Sequence, residues 1–272
     1  MSLTFFTSAF IKAPMSLLDK TAIGSQRLRV RWGVFVHPEH GPVLIDCGYG
    51  PALYRAPSVP LRAYTAALRP DLVTSAMPEV ALKSLGYSMG DVRYIVLTHF
   101  HADHVCHLSS FPDAKVFVDL QEFSLFQTRS KFQNIASGVF GELIPEDIFK
   151  RYIPIQERQT ERLPAEMGIG FDLFGDGTLI TVPLPGHSPH HFGVLVDRPN
   201  DTPVLYAADT DWTMHSLMSG NPAGWFAKLV QADDAQTMAS KTLVRNFARS
   251  VGSVVLCHDP ELTDLDAQEP YT

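Results

Sequence analysis

The sequence predicts an α/β protein in which two β-sheets are faced by helices. Strand-length apolar runs and helical stretches follow one another in two rounds along the 272 residues. Several of the strands end in polar residues, as in LIDCG, YIVLTHFH, LYAAD and VVLCHD. No repeat of fixed period is present, and a helix bundle or an all-β barrel fits this order poorly.

The elements read in order as follows. The opening MSLTFFTSAFIKAPMSLL is apolar but broken by Lys12 and Pro14, and reads as an arm or a cover on the domain. Arg27–Pro38 alternates over much of its length and reads as a strand; Pro42–Gly48 is a short apolar strand ending in Asp and Gly. Residues 49–74 carry Pro51, Pro57, Pro60 and Pro70, which leave room only for short helices. Pro78 just inside MPEVALKSLG predicts a helix closed by Gly86. Asp91–His99 reads as a buried strand running into a polar cluster, and Ala114–Val118 as another strand. Asp119 is placed to cap a helix over LQEFSLFQ. Residues 128–170 are mixed, aromatic and charged, suited to short helices over a cleft. TLITVPLPGH, HFGVLVDR and TPVLYAADT read as three strands, and Trp212–Gln231 as irregular chain. ADDAQTMASKTLVRNFARSVG is the clearest amphipathic helix, and SVVLCH the last strand.

Composition narrows the class. Hydrophobic residues make up 45% and charged residues 19%, an ordinary globular balance. With 22 Lys and Arg against 29 Asp and Glu, the net charge of −7 disfavours nucleic acid and anionic membranes as partners. The three cysteines, Cys47, Cys106 and Cys257, form no CxxC pair and suit a reducing compartment. No signal peptide and no 18-residue apolar span is evident, so a cytoplasmic single domain over 1–272 is expected. GYG and GDG lack the GxGxxG fingerprint of a dinucleotide site.

The strongest chemical signal is LTHFHADHVCHL, which places His99, His101, Asp103 and His104 within six positions. In extended chain, residues two apart share a side, so His99 and His101 reach one ion. A turn into a helix near Asp103 lets Asp103 and His104 address a second. Imidazole and carboxylate are ligands for zinc, and also suit iron, manganese or cobalt. Further candidates end other strands. His187 follows a Pro-Gly turn in LPGHSPHHF, with His190 and His191 as rivals. Asp209 ends LYAAD, with Asp211 as rival, and its two oxygens suit a bridge between ions. His258 ends VVLCHD, with a core histidine as the alternative, while Asp259 suits a turn cap.

HFHADH matches the HxHxDH signature, and with LIDCG, GHSP, AAD and CHD the sequence resembles the metallo-β-lactamase superfamily. The resemblance runs from the LIDCG strand to the last histidine. It implies the metallo-β-lactamase fold, an αββα sandwich of two mixed β-sheets flanked by helices. It implies His99, His101 and His187 on one metal, Asp103, His104 and His258 on the other, and Asp209 bridging. It also implies that Asp46 supports the metal loops from behind. Within the superfamily the sequence is most similar to N-acyl homoserine lactonases and related lactonases.

Two divalent ions, zinc foremost, lower the pKa of bound water, so hydrolysis is the expected reaction. The expectation is attack by metal-bound hydroxide on a small-molecule lactone or carboxylic ester, with a thioester, phosphodiester or β-lactam as alternatives. A metal-binding protein without turnover is the non-enzyme alternative. The resemblance argues against a β-lactam through Asp209. Only fourteen residues follow His258, which argues against a glyoxalase II-like helical domain. Asp103, Asp209 and Trp212 are the candidates for direct roles in the chemistry. Trp212 stands where the resembled lactonases carry a tyrosine, and an indole N–H lacks that hydroxyl. Tyr206, Tyr152 and His215 are candidate replacements. The spacing of 83 from His104 to His187 leaves room for a substrate-covering insertion around 120–170. Apolar walls are expected from residues 49–74, from Phe126, Phe132, Phe140, Phe149 and Tyr152, and from 212–226 with Met214, Met218, Trp225 and Phe226. The resemblance to dimeric lactonases makes a homodimer a further expectation.

Overall fold

A computed structural model describes residues 1–14, 24–55, 58–199, 201–220 and 231–268. Strands β1 (Ser2–Pro14), β2 (Ser25–His37) and β3 (Gly41–Ile45) form an antiparallel meander. Strands β5 (Tyr94–Val96), β6 (Lys115–Val118) and β7 (Tyr152–Pro154) extend it in parallel, and the two-residue β4 (Asp71–Leu72) borders β1. The seven-stranded order is β4-β1-β2-β3-β5-β6-β7.

The second sheet has six strands: β8 (Gln159–Arg162), β9 (Ile169–Asp172), β10 (Leu179–Pro183), β11 (Phe192–Val196), β12 (Val204–Ala208) and β13 (Ser253–Leu256). Neighbours are antiparallel except β12 and β13.

Burial on both faces explains why these strands read as continuous apolar runs. Along β12, Val204, Tyr206 and Ala208 face the core shared with the first sheet, while Leu205 and Ala207 face outward. The outward side meets Leu217 of helix α8 (Met214–Ser219) and Val244 and Phe247 of helix α9 (Asp234–Ser250). The inner core joins residues of both sheets, among them Phe5, Trp32, Ile95, Val194 and Val255. The expected αββα sandwich of two mixed sheets flanked by helices is therefore observed.

Some local expectations need correction. The opening segment is the long strand β1, paired along its whole length with β2. Its run of buried residues on both faces hid the alternation that marks a strand. The strand expected over Asp91–His99 is regular only over Tyr94–Val96, and Thr98 onward leaves the sheet to build the site. The proline-rich stretch holds a ten-residue helix, because Ser58 caps it and Pro60 sits in its first turn. The 128–170 stretch contains short helices and also supplies β7 and β8. Trp212–Gln231 includes the short helix Met214–Ser219, while Trp225 and Phe226 lie outside the described residues.

A buried clamp ties the C-terminal end of the chain to β2. The side chain of Arg31 is fully buried and pairs with Asp266 at 2.7 Å. It also donates to the carbonyls of Leu256, Asp259 and Glu261. These contacts hold the turn after β13, where His258 lies. Replacing Asp266 with Asn leaves a buried guanidinium short of its counter-charge, and stability should fall by roughly 3 kcal/mol. The exposed Arg27–Asp71 pair should contribute little, so Asp71→Asn is the control. Urea unfolding of both variants checks this; equal midpoints would contradict the clamp.

Candidate metal centre

The seven candidate ligands converge at one rim of the sandwich. Asp103 and His104 lie on a single helical turn, α4 (Ala102–Val105), which follows β5 and has His101 as its N-cap. His187 follows β10, Asp209 follows β12 and His258 follows β13. Unusual backbone makes these exits. Asp46 (φ 58°) and Ala208 (φ 43°) occupy the left-handed region that favours glycine. Gly186 has φ 128°, and a Cβ there would meet the Thr237 backbone N at 2.2 Å. Only glycine lets the start of α9 pack beneath the His187 loop.

Two groups of donor atoms result, each with its members within 4.8 Å of one another: His99, His101, His187 and Asp209, and beside them Asp103, His104, Cys257 and His258. His101 Nδ1 lies 3.0 Å from His99 Nε2 and 2.9 Å from His187 Nε2. Asp209 Oδ2 lies 3.2 Å from His187 Nε2 and 3.3 Å from His258 Nε2, and its Oδ1 is 3.5 Å from His104 Nε2. Asp209 thus faces both groups. Asp103 Oδ2 is 3.2 Å from His258 Nε2.

Outer contacts set the tautomers. His104 Nδ1–H donates to Asp46 at 2.7 Å, and His258 Nδ1–H to the Arg29 carbonyl at 2.8 Å. Thr98 Oγ1 donates to Asp46 and so accepts from His99 Nδ1–H at 3.1 Å. In its neutral form each of these three rings therefore turns an unprotonated Nε2 inward. His104 Nε2 and Asp209 Oδ1 are buried without a hydrogen-bond partner among the described residues. Converging lone pairs and orphaned buried acceptors fit divalent cations, because ligands near 2.1 Å from one ion sit at about these mutual distances.

Charge follows the same pattern. Burial, then the neighbouring histidine His187, push His101 down to about 3. Burial and His104 likewise hold His99 well below its ordinary value. Burial would raise Asp209, but His258, His104 and His187 more than offset it and keep the carboxylate ionised. Burial also opposes a charged His104, yet Asp46, Asp103 and Asp209 together push it well up. Asp103 and Asp209 thus place negative charge at the second group that favours a positive charge beside it.

The rival residues have other tasks. His191 Nδ1–H donates to the Leu184 carbonyl, and its Nε2 accepts from the Asp209 N–H at 3.3 Å. Asp211 forms a buried ion pair with Lys241 at 2.9 Å. Asp259 accepts from the Met214 N–H. Cys257 was not among the candidate ligands, yet its sulfur lies among the second group, with its thiol donating to the Arg31 carbonyl at 3.6 Å. Nothing in the sequence marked that, since a cysteine at a strand end is ordinarily core.

A cavity of about 410 Å³ opens onto both groups. Trp212 lines it, its ring 5.9 Å from that of His258. So do Tyr49 and Tyr64 from the proline-rich stretch, and Glu122 and Arg129 at the two ends of α5 (Leu120–Thr128) and its cap. Glu122 accepts from the His190 N–H at 2.9 Å and steadies the His187 loop; burial raises its pKa. The aromatic walls expected from Phe126, Phe132, Phe140, Phe149 and Tyr152 are not part of the lining. Phe123, Phe126, Phe149 and Tyr152 stack together in a cluster of their own, and Phe132 is exposed. Met214 and Met218 also lie off the cavity. The three expected hydroxyl or imidazole replacements do not line it: the Tyr206 hydroxyl is spent on Asp46 at 3.2 Å, and Tyr152 and His215 lie elsewhere.

A sandwich of two mixed sheets that brings two groups of His and Asp donors together at one rim defines a fold with a candidate dinuclear metal centre. The sequence profile of the metallo-beta-lactamase superfamily matches residues 29–251, and the chain belongs to that superfamily. The chain is 31% identical over 181 residues to "N-acyl homoserine lactonase AttM" of Rhizobium radiobacter. That match covers 66% of the chain and 63% of the relative, so the chain spans less than two thirds of that protein. It is 23% identical to an N-acyl homoserine lactonase of Bacillus cereus over 225 residues, 80% of each. A crystal structure of a B. thuringiensis AiiA variant with N-decanoyl-L-homoserine at its active site superposes with a TM-score of 0.71 at 18% identity. It covers 96% of this chain and 95% of AiiA. AidC, described as a dizinc quorum-quenching lactonase, superposes with a TM-score of 0.65 at 17% identity, over 95% and 87% of the two chains. Both superpositions show the shared fold.

Removing the Asp46 carboxylate by Asp46→Asn takes away the anchor of the His104 ring. Affinity for the more weakly held ion should drop by roughly 10- to 100-fold while the chain stays folded. Competition with a chromogenic chelator measures this; unchanged affinity for both ions would remove the anchoring role.

Proposed function

We propose that the protein is a dinuclear metal-dependent hydrolase that opens a lactone or a small carboxylic ester. The observation that carries this reading is the convergence of seven imidazole and carboxylate donors, with Asp209 facing both groups, at the floor of a cavity lined mainly by carbon. His99, His101 and His187 would hold one ion, Asp103, His104 and His258 the second, and Asp209 both. Ions bound there supply an activated water at neutral pH and polarise the carbonyl under attack. Zinc suits the nitrogen-rich donor set, as would iron, manganese or cobalt.

The chain's own residues orient and exclude. Asp46, Thr98 and the Arg29 carbonyl keep three rings in the tautomer that leaves Nε2 free. Asp103 and Asp209 bring negative charge that would balance bound cations, and Asp209 would take the proton of the attacking water and pass it to the departing oxygen. Trp212 forms an apolar wall beside His258 and limits the ring or chain that fits there. Ser137, Gly138 and Val139, within the 120–170 stretch, border the cavity, which supports its role as a cover on a single domain. The similarity to lactonases favours a lactone among the ester substrates. The acidic balance and the absence, among the described residues, of a helix long and apolar enough to cross a membrane agree with a small-molecule substrate met in the cytoplasm. The lactonase resemblance also supports a homodimer.

Elemental analysis should find two divalent ions per chain. Asp209→Ala should lower occupancy of both, and more than His190→Ala does; a full pair of metals in the Asp209 variant would exclude the bridge. A panel of lactones, aryl esters, thioesters and phosphodiesters then tests the substrate class. Strong phosphodiesterase activity without lactone or carboxylic ester turnover would overturn the substrate reading. If Trp212 meets the substrate, Trp212→Tyr should change kcat/KM for acyl homoserine lactones relative to an aryl ester, at matched metal content. A constant ratio with reduced stability would make Trp212 a packing residue.

A further inference from the structure

The hydroxyls of Tyr49 and Tyr64 hold one more proton than they can share. Their oxygens lie 2.5 Å apart on the cavity wall. A phenol hydroxyl is one donor and an acceptor, so one O–H serves the pair and the other remains for a different acceptor. Tyr49 is the inner member: it is 1% exposed, its N–H donates to Ser8 Oγ and its carbonyl faces His107. Tyr64 is half-buried on the helix Val59–Leu68, and its ring packs on Phe140 at 5.0 Å. Among the described residues its hydroxyl has no hydrogen-bond partner but Tyr49. Tyr64 lines the same cavity as Asp103 and His258. Among the described residues the buried Tyr49 hydroxyl has no acceptor but Tyr64, so Tyr49 donates to Tyr64 and the spare proton belongs to Tyr64, on the wall of the cavity that Asp103 and His258 also line.

We propose that Tyr64, oriented by Tyr49, donates a hydrogen bond to the reacting ester group of the substrate. The inference rests on the lactone or ester reading above. No covalent bond to tyrosine forms or breaks, and the proton stays on the phenol. The hydrogen bond strengthens as negative charge builds on the substrate oxygen and relaxes in the product. Tyr49 is a positioning residue, since it reaches the substrate only through Tyr64.

The test compares wild type, Tyr64→Phe and Tyr49→Phe at matched metal content. Phenylalanine keeps the ring that packs on Phe140 and removes only the hydroxyl. In Tyr64→Phe, kcat for a γ-lactone should fall roughly 10- to 100-fold with KM nearly unchanged. Tyr49→Phe should fall less, because the donor remains and loses only its guide. Calorimetric binding of ring-opened 4-hydroxybutyrate gives a readout independent of turnover, and should weaken about fivefold in Tyr64→Phe. Unchanged kcat and unchanged hydroxy-acid affinity in Tyr64→Phe would overturn the assignment, as would a loss that disappears once metal content is equalised. Wild-type protein inert toward every lactone and ester would instead overturn the proposed reaction, and hydroxy-acid binding would still decide Tyr64.

Discussion

The carboxylate of Asp46 is the constraint on which the candidate site depends. It has no solvent exposure, and it accepts from Thr98 N–H, Thr98 Oγ1, His104 Nδ1–H and the Tyr206 hydroxyl. Thr98 follows β5 of the first sheet and Tyr206 lies in β12 of the second, so one side chain bonds across the sandwich. A buried carboxylate with no partners would cost several kcal/mol, and four donors offset that cost. The arrangement also forces Asp46 into a left-handed backbone conformation, which turns the chain out of β3 just where the loop must pass under α4. Through Thr98 the same carboxylate reaches His99, and directly it reaches His104. One ligand of each group is therefore oriented by one buried acid.

The second sheet contributes ligands by a different route. Its strands end at one rim, and three loops there hold His187, Asp209 and His258. Each loop is braced by a contact behind it: Gly186 against Thr237, His191 against the Asp209 N–H, and Arg31 against the carbonyls around His258. Buried ion pairs recur in these braces, Arg31 with Asp266 and Lys241 with Asp211. Such pairs add little net stability, but removing one partner is costly, so they hold the loops in one geometry. Candidate donor nitrogens about 3 Å apart call for such rigidity, because lone pairs that face one another repel.

The cavity above the ligands departs from what residue types alone suggested. Phe123, Phe126, Phe149 and Tyr152 of the 120–170 stretch stack on one another, and the first two on Phe100, forming a small cluster of their own. The cavity wall is drawn instead from the proline-rich stretch and from short residues at 136–139. Gly138 packs on the His101 ring, where a Cβ would lie 3.1 Å from Cδ2, and Trp212 stands beside His258. Besides the candidate ligands, the cavity's polar groups are the tyrosine hydroxyl pair, Glu122, Arg129, Ser137, Ser188 and Gln231.

The sequence by itself determined the class of fold and the candidate ligands. HFHADH, LPGH, AAD and CHD each end a strand, and imidazole and carboxylate at strand ends have few structural uses, so local pattern was enough to find His99 through His258. The clearest elements were equally legible, because Asp119, Pro78 and the amphipathic spacing of 232–252 act through neighbours in the chain. Tertiary structure alone decided the rest. The first strand was hidden because burial on both faces erases alternation. His187 was separated from His191 only when the fold turned one ring inward and bonded the other to backbone on both nitrogens. Cys257 among the donors, the Tyr49–Tyr64 pair and the Arg31 clamp join residues 15 to 235 positions apart or atoms at opposite ends of the chain. Contacts of that kind leave no periodic trace, since they depend on where two sheets dock and not on what lies nearby in sequence.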